Sequence, residues 1–421
     1  MPAEDPRPDF VPDWPTCERD PGCRGIPAGD GRYCLAHLDP DERDRFIEGL
    51  RPGADLDLSG TVISNELFVR LLYACRDYET HRFRFGTVRF NRAWFQGRTW
   101  FDSADFAGDA DFAGAWFGGP VRITSTSFAG TLTLGSAQFR AGADFTETHA
   151  LRLVLTWARF AGVAKVRFDG AIDCMGARFE DGLVLASSAR VDANGAIFGA
   201  VSSIDSAELL SLANCDVGNL VLTDTDLRWC RFAGAHRLDQ LRIDGRSGFG
   251  TPPRGRWTRR RVLAEEQEWR GWSEEARSFA VGPARIGGTY RALRKSFEDS
   301  KNEAGAGDFY YGEMEMRRHS GDTPRAERWI LWVYWLLSGY GQRAARAVAA
   351  LLVVIATVGV LLAVWGQPPA EAAQIAVGAV VLRDTRAELT EAGQWAVMAA
   401  RVLGPVLLAL AVLAVRARVK R

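Results

Sequence analysis

Bulky apolar residues recur along the middle of the chain with an unusual beat. Phe90, Phe95, Phe101, Phe106, Phe112, Phe117, Ile123, Phe128, Leu134, Phe139 and Phe145 follow one another in alternating steps of five and six. Two places before them the side chain is small (Ala93, Ala104, Ala110, Ala115, Thr126, Ala137, Ala143), and two places after them glycine recurs (Gly97, Gly108, Gly114, Gly119, Gly130). Neither the 3.6-residue period of a helix nor the two-residue alternation of a strand divides this spacing. A chain that turns a corner after every unit does produce it. Each unit then gives one bulky and one small residue to a narrow interior, and stacked coils share backbone hydrogen bonds at the strand spacing of about 4.8 Å. The beat loosens after Phe145, returns at Ala158-Arg159-Phe160 and Ala177-Arg178-Phe179, and tightens to steps of five at Val217, Leu222, Leu227 and Phe232. The departures at 146–157, 186–195 and 201–211 predict a bulge, or a loop leaving the coil, at each.

Other textures flank this zone. A head (1–38) precedes a helical N-terminal cap (39–82), the repeat fills 83–243, a charged helical connector covers 244–327, and 328–421 is apolar. Asp39-Pro40 predicts a helix running to about Leu50, an N-cap followed by proline at the first helical position. Ser64 opens a second helix, with Leu67, Phe68, Leu71, Leu72 and Cys75 on one face. In the connector, Tyr290–Lys301 and Phe309–Arg318 are predicted helices joined by Asn302–Asp308, and Arg261–Glu265 is expected as an i,i+4 pair on a solvated helix. Ala347–Trp365 is uncharged over nineteen residues, enough to cross a bilayer core. A second span is predicted over 396–415, with Arg401 snorkelling. Trp329, Trp332, Tyr334 and Trp335, with Arg328, predict an interfacial helix ahead of the first span. Cationic residues outside the spans (Arg343 and Arg346 before, Arg416, Arg418, Lys420 and Arg421 after) predict both ends of the hairpin in the cytoplasm and its loop outside.

The units Ala104-Asp105-Phe106-Ala107-Gly108 and Ala110-Asp111-Phe112-Ala113-Gly114 resemble those of the pentapeptide-repeat family: small residue, Asp or Asn, Leu or Phe, then two polar positions. The resemblance implies an all-β solenoid, a right-handed four-sided β-helix of roughly seven or eight coils over 83–243. α-Helices flank it and a C-terminal α-helical transmembrane hairpin follows. The layout of span, loop and span is similar to the two-helix pore module of potassium-type channels, in a degenerate form. Such channels carry a TVGYG-like filter before the second span, whereas this loop reads AQIAVGAVVLRDTRAELT. Gly339-Tyr340-Gly341 lies before the first span and is expected to be a turn.

Charge narrows the partners. Lys+Arg and Asp+Glu are 52 each, and the repeat zone alone holds 17 acidic and 16 basic residues. No net field selects nucleic acid, and no acidic surface imitates it. The expected partners are the lipid bilayer and a protein not yet identified; homo-oligomerisation stays open. The N-terminus MPAEDPRPDF lacks a cationic region and an apolar run, so the soluble part is expected in the cytoplasm and the chain in the cell membrane as a multi-pass protein. Seven cysteines in 421 residues do not make a disulfide framework. Cys174, Cys215 and Cys230 fall in the repeat and are expected as buried thiols. Cys17, Cys23, Cys34 and His37 lie within 21 residues, three thiolates and an imidazole suited to a structural zinc ion. No phosphate loop, dinucleotide fingerprint or nucleophile elbow occurs, so no enzyme is expected.

Overall fold

Burying a phenylalanine at every second corner requires the coils to stack in register, and they do. Phe95, Phe117, Phe139, Phe160, Phe179 and Phe198 form one column, with ring centroids 4.3–6.0 Å apart and planes within 14° of one another. Their strands pair in parallel, each with its counterpart one coil later. The computed structural model describes residue 7 and residues 10–253, 260–272, 281–383 and 389–419. It divides into two units, 1–275 and 276–421. The first is a parallel β-solenoid of about eight turns.

A second column runs down one corner. Gly60, Arg92, Gly114, Ser136, Trp157, Gly176, Gly195 and Asn214 all have left-handed backbone, with φ between 54° and 69°. Each donates its N–H to a carbonyl one coil on, at 2.7–3.1 Å. The residue after each is small and fully buried: Thr61, Ala93, Ala115, Ala137, Ala158, Ala177, Ala196 and Cys215. Trp157 is the bulkiest occupant of this corner, and its exposed ring lies over Gly176, where a Cβ would come within 2.4 Å of the indole. Outside, ion pairs join neighbouring coils: Arg82–Asp105, Arg122–Asp102, Arg152–Asp173, Arg190–Glu208 and Arg237–Asp216. Exposed pairs of this kind contribute little individually.

The stack begins earlier than the repeat pattern does. Ala54–Asp57 pairs with Phe83–Arg89, and Val62–Ile63 pairs with Trp94–Phe95, so the first coil precedes residue 83. Helix α1 (Pro40–Gly49) precedes it, and α2 (Asn65–Ala74) is inserted within it. The Ser64 hydroxyl accepts from Leu67 N–H at 3.2 Å, capping α2 as expected. Phe68 meets Phe95 and Phe101 edge-on, at 5.9 and 5.3 Å, which lays the buried face of α2 on the first coils. The irregular stretches 146–157, 186–195 and 201–211 also stay in the wall. Register shifts between Phe145 and Thr148, His149 and Arg152, and Val191 and Asp192 absorb the difference, and no loop leaves.

At the other end the expected Arg261–Glu265 helical pair does not form. Arg261 precedes α3 (Ala264–Trp269), and Glu265 and Glu266 are buried rather than solvated. Glu266 receives Arg260 and Arg270, while Arg231 pairs with Glu268 at 2.6 Å. Glu265 Oε1 accepts the Phe232 N–H of the last coils, and its Oε2 has no partner. Much of the basic run 254–261 lies outside the described residues (254–259).

The second unit is helical: α4 (Pro283–Asp299), α5 (Glu303–His319), α6 (Arg325–Ser338), α7 (Ala344–Val364), α8 (Pro369–Val380) and α9 (Glu391–Val419). The expected joint 302–308 is instead the first turns of α5. Asn302 caps the Gly305 N–H at 3.0 Å, and Gly305 and Ala306 are buried in the helix. Gly339, Tyr340 and Gly341 form the expected turn, all three left-handed, and the Tyr340 hydroxyl donates to Glu315 at 3.1 Å. Among the described residues, two helices are long and apolar enough to cross a membrane, Ala344–Val364 and Glu391–Val415; the second is longer than 396–415. The connecting loop is not a simple excursion. It contains α8, whose Ala372, Ile375, Ala376 and Ala379 pack with Val358 and Leu362 of α7 and with Val397 and Ala400 of α9. Val380 sits so close to Gly404 that a Cβ there would lie 2.7 Å from its Cα. Arg386, Lys420 and Arg421 lie outside the described residues.

Two stability measurements follow. Phe112 is fully buried in its column, so Phe112→Ala should cost about 3–5 kcal/mol in chemical denaturation. Asp111 points outward and accepts only the Ala113 N–H, at 2.9 Å, so Asp111→Ala should cost under about 1 kcal/mol. Equal costs would put the register in error. Burial pushes the Glu265 carboxyl from 4.5 up to about 7, so the folded chain holds a proton that the unfolded chain releases. This contribution is full below pH 4.5 and is lost as pH rises through 7, by on the order of 3 kcal/mol. Glu265→Gln should therefore gain melting temperature relative to the parent between pH 5 and pH 8, and a constant difference would refute the assignment.

Candidate metal centre

The head is built from two short returns of the chain that bring four ligands together. Pro27 and Cys34 bridge antiparallel, with the Ala28 N–H on the Tyr33 carbonyl at 2.9 Å. The Cys34 carbonyl then accepts from His37 and Leu38 N–H at 2.8 and 3.1 Å, a single turn that folds His37 back beside Cys34. On the other strand of the site, Cys17 N–H donates to Gly25 and Cys23 N–H to Asp20. Gly25 has to be glycine: a Cβ there would stand 2.8 Å from the Cys34 Cβ and 3.1 Å from its sulfur.

The ligand atoms of Cys17, Cys23, Cys34 and His37 all lie within 4.8 Å of one another, the one such group among the described residues. Cys17 Sγ and Cys34 Sγ are 3.4 and 3.6 Å from His37 Nδ1, and Cys23 Sγ is 3.7 Å from Cys34 Sγ. A tetrahedron with Zn–S near 2.3 Å and Zn–N near 2.0–2.1 Å has edges of about 3.8 Å between sulfurs and about 3.5 Å from sulfur to nitrogen. The three short separations match those edges, so the donor set fits zinc in both chemistry and size. All four positions come from the protein, so a tetrahedral zinc ion held here would have no open position for a reacting water.

The electrostatics favour a ligand-ready thiolate. The hydrogen bond from Cys34 holds the Cys23 thiol down at about 5, against the opposing effect of burial. Cys34, which donates that bond and is itself buried, is pushed far above its ordinary value. A positive ion between them would remove the remaining proton.

The head is fastened to the first coils. Arg7 Nη1 donates to the carbonyls of Gly60 and Arg92, at 2.7 and 2.8 Å, two consecutive members of the left-handed corner. Ile26 N–H donates to Ser59, and Phe10 lies under the guanidinium groups of Arg24 and Arg92. At Gly60 a Cβ would stand 2.1 Å from the Arg24 carbonyl oxygen, so this corner must also be glycine. The sequence carries no visible mark of Arg7 or Gly60 as anchors, because the corner they serve lies upstream of the aromatic beat. Cys174, Cys215 and Cys230, away from this site, are buried as expected, and burial pushes the Cys215 thiol up to about 12.

Comparison with protein-family models, with curated proteins and with solved structures finds no match.

The purified chain should carry about one zinc per molecule by elemental analysis, and Cys34→Ser should release it. A metal-free protein whose three head thiols all react freely with a thiol reagent would end the zinc assignment.

Proposed function

We propose that this chain is a non-enzymatic, membrane-anchored scaffold of the pentapeptide-repeat type. Its right-handed, four-sided β-helix presents an outer wall to a protein partner at the cytoplasmic face of the cell membrane, and nucleic acid plays no part. The observation that carries this reading is the filled interior of the coils. Stacked Phe, Leu and Ala side chains occupy it from Phe95 to Phe232, so recognition falls to the ladders of polar and charged residues outside. The hairpin supports the membrane part. Val348, Leu352, Val353 and Val360 of α7, and Val402, Val406 and Val412 of α9, stay uncovered within their own unit. Apolar faces of that extent are stable in lipid and unfavourable in water. The arginines at 343, 346 and beyond 415 support a cytoplasmic position for both ends of the hairpin.

A second reading, a channel-like or sensory membrane module governed by the repeat, is favoured by α8, a short helix packed between two spans. The chemistry along 374–390 weighs against potassium conduction. A carbonyl filter needs closely spaced glycines, and this stretch has only Gly378.

Planar bilayers containing the full-length chain should show no potassium-selective current. Exchange of 347–421 for an unrelated two-span anchor should preserve whatever partner crosslinking captures on the repeat. A reproducible potassium current abolished by changes within 374–390 would replace the scaffold reading with the channel one.

A further inference from the structure

We propose that the cleft between the end of α5 and the start of α6 binds the phosphate headgroup of an anionic phospholipid. The proposal rests on the reading that α7 and α9 lie in a bilayer. The cleft encloses about 520 Å³ and is lined by Arg318, His319, Arg325, Arg328, Trp329 and Trp332. Three guanidinium groups and an imidazole line it, and no carboxylate does among the described residues.

The cations are not all spoken for. Arg318 is held in place: its Nη2 donates to both Glu315 oxygens at 3.0 and 3.2 Å, and its guanidinium lies over Trp335, 4.7 Å from the ring centre. The acid nearest in sequence to Arg325 and Arg328, Glu327, is taken by Arg317. Arg325 and Arg328 make no ion pair among the described residues. The Nε–H groups of Arg318 and Arg328 are buried and have no acceptor. A desolvated charged donor left in that state is costly, and an oxyanion in the cleft offsets the charge of the guanidinium groups that line it.

The same helix explains why the oxyanion belongs to a lipid. α6 packs Leu331, Trp335 and Ser338 inward, in part against Tyr311 and Tyr340. Its other side leaves Trp329, Ile330, Trp332, Val333 and Leu336 uncovered, the first two at 67% and 68% exposure. This uncovered apolar stripe begins at the cleft and leads, through the turn at 339–341, into the 21-residue apolar helix α7. Indole rings at the rim and guanidinium groups above them match the depth order of a bilayer, with rings at the acyl boundary and cations at the phosphates. A soluble anion would use the cations and leave the stripe bare; a phospholipid uses both.

The full-length protein in neutral detergent would be tested by thermal melting and native mass spectrometry. The probes are dioctanoyl phosphatidylglycerol, dioctanoyl phosphatidylcholine and inorganic phosphate. Phosphatidylglycerol should raise the melting temperature and stay bound, and the other two should not. Each guanidinium removed should weaken binding roughly five-fold, so the R325Q/R328Q double variant should lose more than tenfold in affinity, while R328K keeps most of it. Equal stabilisation by the two lipids, or by inorganic phosphate, overturns the proposal on the parent protein alone, whatever the variants do. An unchanged affinity in a folded double variant overturns it as well. Alkaline carbonate extraction of native membranes separates this from the anchor: release of the parent protein sinks the membrane reading, whereas an integral protein without lipid selectivity sinks only the headgroup site.

Discussion

A left-handed residue at the same corner of every coil, followed at once by a side chain no bulkier than threonine, is the constraint on which the rest of the solenoid depends. Left-handed backbone costs an ordinary L-residue roughly 1–2 kcal/mol, yet Arg92, Ser136, Trp157 and Asn214 adopt it alongside four glycines. Two features offset this. The N–H at each corner reaches a carbonyl of the next coil, and the turn drops the following alanine into the interior, where the backbone of successive coils can close up. Only then does the bulky residue two places on fall directly above its predecessor. Parallel pairing, the aromatic columns and the outward ion pairs are consequences of that repeat. The corner also outlasts changes elsewhere in the coil. The steps from Phe95 to Phe198 shorten from 22 residues to 19, with register shifts taken up in the long strands 143–154 and 164–173, while the left-handed column continues without a gap.

A stack of parallel coils has two open ends, each a row of unpaired backbone groups beside an exposed apolar interior. Both ends of this one are closed, by different physics. At the first coil, α2 lays Phe68 against the aromatic columns, and the Cys/His head is tied to the corner through Arg7 and Gly60. A loop-rich head of this size buries little of its own, so a metal ion bound by Cys17, Cys23, Cys34 and His37 would stabilise the segment that protects the stack. At the last coils, α3 turns a carboxylate inward to receive the Phe232 N–H and buries an arginine-bracketed glutamate beside it. Covering the polar edge takes the Glu265 side chain out of water, and that burial pushes its carboxyl up.

The period of the aromatic residues made the coils legible, because it is incompatible with any other regular structure. The first coil was hidden for two reasons. Its member of the aromatic column is Ile63, and a ten-residue helix interrupts it before the beat resumes. The three irregular stretches looked like departures because a bulge shifts which residue points inward without removing the strand. Residues 302–308 looked like a joint because glycine is a poor helix former, and packing against α4 overrode that preference. Arg261 and Glu265 have the spacing of a surface pair, but spacing alone cannot tell a solvated helix from one pressed on a solenoid end. That Cys17, Cys23, Cys34 and His37 come together is legible from residue type and proximity; that Gly25 must admit the Cys34 sulfur, and that the head grips a corner, could come only from coordinates.

The helix α8 is not legible in the sequence because its twelve residues, mostly small and apolar, resemble ordinary connector sequence between two long apolar helices, and its last turn bears on the choice between anchor and pore. Gly404, against which Val380 packs, lies thirteen residues into α9, about 20 Å along it. The end of α8 therefore falls within the apolar stretch, where bare carbonyls would be expensive unless they faced an ion or water. They are turned inward instead. Leu382 adopts left-handed backbone, its N–H returns to Ala379, and Arg383 N–H returns to Gly378, closing the last turn on itself. Arg401 reaches the Arg383 carbonyl at 3.5 Å and brings a cation to the same place. A helix end that ties back the carbonyls of Val377, Gly378 and Ala379 and then meets a guanidinium offers a passing cation an unfavourable field. The same arrangement packs the short helix against both α7 and α9 while its last turn closes back on itself.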